Sequence, residues 1–283
     1  MITARFLRPI LLAAALPAVV VGAGVTAPAA SAHAASAHAP SSVVTRRAVR
    51  HVRPLDLRRS AVRAASTLEG PAWAGYVAVG KRKTDSFRYV QATFTVPSLN
   101  CSNNADAYVS QWVGLDGFTA PTLEIAGIAG ACAGGVATYD SWYDMYPAAQ
   151  GTGIAVHPGD ALEVSARYDA ARSVASGRYN LVLVDVTTGK RFNHWLKCGA
   201  SSCTNGSAEV ISDGAGSFPL ADYGISNFEN IGIVDHAGQK GGFSSADWKN
   251  VKAVQVNSLH AILQTPGSVF GGAAFSSYWR KAA

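Results

Sequence analysis

Residues 139–147 read Tyr-Asp-Ser-Trp-Tyr-Asp-Met-Tyr-Pro, and no other stretch limits the fold as strongly. In an extended strand, alternate residues face opposite sides. Asp140, Trp142, Asp144 and Tyr146 then share one face, and Tyr139, Ser141, Tyr143 and Met145 the other. Two carboxylates set between large aromatics make a poor dry core. They suit the solvated face of an outer strand or the floor of a ligand cleft, and alternation alone leaves both open. Upstream, Trp112-Val113-Gly114-Leu115-Asp116-Gly117 ends a nearly continuous apolar run, expected to be a buried strand over 108–115. Thr122-Leu123-Glu124-Ile125-Ala126-Gly127 forms a short strand between the two phrases.

The same rhythm runs through the rest of the chain. Apolar and β-branched runs at 73–79, 89–97, 161–168, 178–185, 190–196, 208–213, 218–228, 231–234 and 251–259 are bounded by turn-forming residues. After Gly70 no helix-period segment exceeds a turn or two, apart from an ambiguous stretch at 244–248. The Gly/Ala/Gln segment 148–153 reads as a flexible flap. Frequent short strands with Gly-rich turns predict an all-β antiparallel sandwich.

The chain's start is read differently. Residues 1–32 carry Arg5 and Arg8, an apolar run over 10–25 and then Ala30-Ser31-Ala32, the pattern of a signal peptide. A second small-residue site, Ala35-Ser36-Ala37, leaves two cut points open, and a secreted (extracellular) protein is expected. Residues 33–70 hold seven arginines and few apolar residues, the composition of a disordered basic propeptide or linker. A basic arm for nucleic acid or an anionic surface is the alternative for that segment.

Through Gly70 there are nine basic and two acidic residues; from Pro71 onward there are fifteen basic and sixteen acidic. The basic balance therefore belongs to the removable part. No nucleic-acid partner is expected for the folded domain, and no membrane contact once the signal peptide is cleaved. Residues 71–283 suit one domain, expected to be a monomer.

Four cysteines in an exported chain imply two disulfides, with three possible pairings. The preferred set is Cys198–Cys203, closing a short loop, and Cys101–Cys132, tying loops on either side of the central strands. There is no Cys-x-x-Cys and no His pair at zincin spacing, so neither metal nor cofactor is expected. Gly-x-Ser-x-Gly, Asp-Thr-Gly and Asp-Ser-Gly are absent, which removes the serine-hydrolase elbow and the aspartic dyad. His157, His194, His236 and His260 stand alone at turns or strand ends, a setting of surface histidines rather than catalytic bases.

Four phrases in order, Trp73-Ala74-Gly75-Tyr76, Phe94-Thr95-Val96-Pro97, Trp112 to Gly117 and Tyr139 to Pro147, resemble the eqolisin family, the secreted glutamic peptidases. The resemblance runs from about Trp73 into the last third of the chain. It implies a concanavalin-like β-sandwich of two large antiparallel sheets with a concave substrate cleft. Trp112, Asp116, Asp140, Trp142 and Asp144 are placed in that cleft, with a peptide or protein as partner.

The implied activity is acid endopeptidase: a glutamate takes a proton from water, and a glutamine orients that water and donates to the forming oxyanion. Ser207-Ala208-Glu209-Val210-Ile211 resembles the family phrase Ala-Glu-Trp-Ile, which puts Glu209 at the base position with Val210 in place of tryptophan. Leu123-Glu124-Ile125-Ala126-Gly127 resembles Val-Glu-Gln-Thr-Gly, which puts Ile125 at the glutamine position. A shift of one residue would place Glu124 or Ala126 there and turn the strand over. Gln111 alternates with Trp112 and falls on the opposite face. Isoleucine can neither donate to an oxyanion nor orient water, and loss of one such donor costs about 100- to 1,000-fold in rate. Three readings follow: an endopeptidase with a substitute donor, a degenerate relative that binds peptide or glycan, and a structural sandwich without ligand.

Overall fold

The computed structural model describes residues 66–118, 120–214 and 218–283. Its strands are β1 (Ser66–Gly70), β2 (Trp73–Val79), β3 (Phe87–Thr95), β4 (Ala107–Asp116), β5 (Leu123–Ala133) and β6 (Val136–Tyr146). There follow β7 (Ala149–Thr152), β8 (Ala161–Tyr168), β9 (Tyr179–Asp185), β10 (Arg191–Leu196) and β11 (Ser207–Asp213). The last are β12 (Ile225–Asp235), β13 (Lys240–Gly241), β14 (Lys249–Val256), β15 (Ile262–Pro266) and β16 (Phe275–Trp279). Among the described residues the one helical element is a 3-10 turn at Val174–Ser176. The stretch at 244–248 forms turns rather than a helix. No helix of the described residues is long and apolar enough to cross a membrane.

The strands form one hydrogen-bonded ladder in the order β10-β9-β8-β3-β12-β16-β15-β14-β2-β11-β4-β5-β6-β7. The ladder folds over, so that β4 packs across β3 and β8, β5 across β8 and β9, and β11 across β3. This gives the expected all-β sandwich, with its two layers joined through β15 and β16.

Alternation explains the core. On β9, Tyr179, Leu181 and Leu183 point inward while Asn180, Val182 and Val184 are half-exposed. They meet Leu115, Ala126 and Ile128 from the facing layer, together with Val90, Phe94, Leu162 and Phe228. Fully burying one such leucine contributes about 1.5–3 kcal/mol. β4 is buried along its whole length, because a second apolar cluster covers its other face.

Both expected disulfides are present. Cys101–Cys132 has its Cα atoms 5.5 Å apart and ties the loop before β4 to the far end of β5. Cys198–Cys203, with Cα atoms 5.9 Å apart, closes the loop that leads into β11.

Two expectations are corrected. Disorder was expected over 33–70, but residues 66–70 form β1, which pairs in parallel with β14 from Ser66↔Val251 to Gly70↔Gln255. Leu68, opposite Ala253, supplies the reason: it joins the apolar cluster on that face. The rest of that segment, and the signal peptide expected over 1–32, lie outside the described residues. The segment 148–153, expected as a flap, instead contributes β7. Ala148 N–H donates to Met145 C=O (2.8 Å) in a tight turn, and the chain then pairs back along β6.

Candidate active site

Register decides which side chains meet. β11 lies between β2 and β4, and β5 and β6 continue the sheet. Directly opposed residues on antiparallel strands face the same side. One cross-strand row therefore reads Val77, Glu209, Gly114, Ile125 and Asp144. The next reads Gly75, Ile211, Trp112, Gly127 and Trp142. The third reads Trp73, Asp213, Ser110, Ala129 and Asp140. The fold thus gathers Glu209, Ile125, Asp144, Trp112 and Trp142 from four strands into one patch. Asp140 shares the face but stands two rows from Glu209, half-buried, and burial raises its carboxyl above the usual range.

Two glycines make this patch possible. A Cβ on Gly114 would collide with Cγ2 of Ile125, so the isoleucine side chain occupies the space above Gly114 on the side toward Glu209. A Cβ on Gly127 would come within 2.6 Å of Cβ of Trp112. Trp112 in turn meets Trp73 edge-on, with ring centroids 5.0 Å apart.

An open cleft floor was expected here, but the face is closed. Glu209, Ile125, Trp112 and Asp144 are fully buried and Trp142 is 1% exposed. Ile125, Trp112, Trp142, Val77 and Ile211 pack as one apolar cluster.

In that setting Glu209 is held well above the ordinary carboxyl range, chiefly by burial. The nearby Ser207 hydroxyl lowers it in part, and the charges of Asp116 and Glu124 push it further up. Neither Glu209 oxygen has a well-formed hydrogen bond among the described residues. Asp213, which the sequence did not single out, behaves alike: it is buried and raised, with the Trp112 indole offsetting part of the shift. The indole N–H groups of Trp73, Trp112 and Trp142 have no acceptor of good geometry among the described residues.

Two polar residues close to Ile125 face the other side of the sheet. Glu124 lies in the row Leu115, Glu124, Met145, on the face toward the sandwich interior. It is fully buried there, and its carboxyl is raised by burial and by Asp116. Gln111 pairs with Ser212 and Ile128, also on the inner face. Of Gln111, Glu124 and Ile125, Ile125 alone stands in the row of Glu209.

Asp116 proves to be a clamp rather than a cleft carboxylate. It sits at the end of β4 with φ 63°, a left-handed conformation that aspartate tolerates better than most residues. Its Oδ2 accepts from Thr204 N–H (2.8 Å), Asn205 N–H (2.7 Å) and the Thr122 hydroxyl (3.2 Å). Its Oδ1 accepts from Gly206 N–H (2.7 Å) and the Thr204 hydroxyl (2.9 Å). Residues 204–206 are thereby fixed between the Cys198–Cys203 disulfide and β11, three residues before Glu209. Asn205 accepts from the Tyr179 hydroxyl (2.9 Å), which ties the loop to the opposite layer. The turn dipeptide Asn205-Gly206 was the available signal for this loop.

Chemically, the row offers a carboxyl that burial holds protonated and that could accept a proton only once ionised, and an apolar side chain across Gly114 from it. Among the described residues no group of three or more His, Cys, Asp or Glu is placed to hold a metal ion.

The fold is thus an all-β sandwich in which a buried glutamate, Glu209, lies one row from two buried tryptophans. The pattern of the peptidase A4 family matches residues 71–269, and the chain belongs to that family. It is 30% identical over 175 residues to scytalidopepsin B of Scytalidium lignicola, a match covering 59% of this chain. The chain spans 62% of the length of that relative. Its fold is similar to a crystal structure of scytalido-glutamic peptidase with a peptide-based transition-state analogue (TM-score 0.61, 21% identity, 74% of this chain and 98% of that one). It is also similar to aspergilloglutamic peptidase from Aspergillus niger (TM-score 0.51, 20% identity, 62% of this chain and 99% of that one).

Proposed function

We propose that the chain is an exported peptide-binding member of its family in which hydrolysis is strongly attenuated. Glu209 holds the position of the water-activating base, and Ile125 holds that of the glutamine. The observation that carries this reading is the row Glu209, Gly114, Ile125, with the isoleucine filling the space above the glycine. Without an oxyanion donor the expected loss is about 100- to 1,000-fold. Trp112, Trp142 and Asp144 line the peptide's path once the closed face opens. The two disulfides fit an oxidising, extracellular compartment. Scytalido-glutamic peptidase is solved with a peptide-based analogue, which supports a peptide as the ligand class.

The test is digestion of an unbiased peptide library by the purified protein from about pH 2 to about pH 8, because Glu209 is raised and can act as a base only where it ionises. Paired binding measurements with the same peptides complete it. Binding with little or no cleavage is the expected result. Turnover at ordinary peptidase rates, about 1 per second or faster, would sink the attenuation.

A second reading keeps full hydrolysis, favoured by the indole N–H of Trp142, one row from Glu209 and without an acceptor of good geometry among the described residues. An indole could donate to the oxyanion in place of the glutamine. Under that reading wild-type turnover is high, and Trp142→Phe lowers kcat with little change in KM.

A further inference from the structure

The layer opposite Glu209 has an outer face of its own. Val90, Ala166 and Ile233 point into the core, so their neighbours Tyr89, Arg167 and Val234 point out, on the far side of the sandwich from the candidate active site. A cleft of about 600 Å³ opens there, within the ordinary size range of small-ligand sites. Arg88, Arg167, His236 and Lys240 line it, with Tyr89, Tyr168 and a single carboxylate, Asp169.

The charge is a local concentration, since from Pro71 onward the chain has fifteen basic against sixteen acidic residues. Asp169 partners Arg167 at 3.3 Å and so fixes one guanidinium. Among the described residues Arg88 and Lys240 have no carboxylate partner, and both are exposed. Arg88 reaches over the turn after β12, where a Cβ on Gly238 would lie 3.7 Å from its Nη2.

Register sets the spacing of these groups. One row reads Lys240, Val234, Tyr89, Arg167. It spans roughly 14 Å, three strand spacings, with the tyrosine between the two cations. A single small anion cannot bridge that row. A chain of rings carrying repeated negative charges can, with a ring on Tyr89 and acidic groups on either side. The negative face of a tyrosine ring attracts the C–H edge of a sugar. Asp169, paired to Arg167, can accept hydrogen bonds from sugar hydroxyls. The disulfides place the protein where anionic polysaccharides, not nucleic acids, are the abundant polymers.

We propose that the cleft formed by β3, β8, β12 and β13 binds an acidic oligosaccharide, with Arg88, Arg167 and Lys240 on its carboxylates and Tyr89 against its rings. This is a binding role independent of any peptide hydrolysis at Glu209.

The test is calorimetric titration of the purified full chain with trigalacturonate, neutral galactotriose, trithymidylate and inorganic phosphate. Saturable binding of trigalacturonate, weakened by added salt, is expected, with galactotriose at least about tenfold weaker. The double variant Arg88→Ser, Lys240→Ser should lose about tenfold or more, as hydrogen bonds to charged groups contribute appreciably to binding. Arg88→Lys should bind more tightly than Arg88→Ser. Both substitutions are on the surface, and unchanged circular dichroism and Tm will show that the variants fold. Equal affinity for galactotriose, full competition by phosphate, tighter binding of trithymidylate, or an unaffected double variant would each overturn the assignment.

Discussion

Ile125 and Glu209 face the same side of the sheet in one cross-strand row, with only Gly114 between them. The glycine leaves a gap and the isoleucine fills it. A glutamine of similar length placed there would point its amide toward the same gap. Ile125→Gln should therefore raise peptide hydrolysis by up to about 100- to 1,000-fold at a pH where Glu209 is ionised, the usual contribution of one oxyanion donor. Adding Glu209→Gln to that variant should abolish the gain, since a neutral amide cannot take water's proton. Measuring kcat on a fixed peptide for wild type, single and double variants decides it. Activity in Ile125→Gln that survives Glu209→Gln would show that the base lies elsewhere.

Gly114 should be as intolerant as the packing implies. Gly114→Ala pushes a methyl into Ile125 and should destabilise the fold by about 1–3 kcal/mol, the usual cost of overpacking. Ile125→Ala alone should cost about 2–5 kcal/mol as a cavity. The double variant should be more stable than the sum of the two, because the added methyl enters the vacated space. Denaturant unfolding of the four proteins measures this coupling, and strict additivity would show that the two residues do not touch.

How much of this was legible beforehand depends on which link is asked about. Alternation along 139–147 and 108–116 put Trp142 with Asp144 and Gln111 opposite Trp112, and the structure agrees, since a two-residue period is local. Register is not local. Glu209 meets Gly114 only because β11 inserts between β2 and β4, strands more than ninety residues upstream in the chain. Asp116 was misread because its positive φ, invisible in a strand pattern, turns its carboxylate to residues 204–206. The 148–153 stretch looked like a flap from composition, whereas the tight turn after β6 let it pair back.

The clamp makes a third prediction. Asp116→Asn keeps a residue that accepts the left-handed conformation, so it tests the charge alone. One acceptor oxygen is replaced by an NH2 that faces backbone donors. The fold should lose about 3 kcal/mol or more, as for other broken networks around a buried charge. A Tm unchanged within a degree or two would mean the five hydrogen bonds contribute little.

Stability should also depend on pH, with a definite sign. Burial raises the carboxyls of Glu124, Glu209 and Asp213 in the folded state. As pH climbs past the ordinary carboxyl range, near 4, the unfolded chain releases these protons while the folded chain keeps them. The unfolded state is then favoured, so stability is full below that range and is lost as pH rises toward the folded values. Each tenfold difference in proton affinity corresponds to about 1.4 kcal/mol. Tm measured between about pH 4 and pH 8 should fall, and Glu124→Gln, which removes one such proton, should flatten the curve. A Tm that rises across that window in wild type would contradict the burial of these groups.

The short parallel strand at Ser66–Gly70 sets a limit on trimming of the polypeptide. A protease that cut just before Pro71 would strip β1 away and leave one edge of β14 bare from Val251 to Gln255. An uncovered strand edge is a template for self-association. Maturation that leaves a soluble product must therefore stop before Ser66, and a shorter form would be recognised by its tendency to clump.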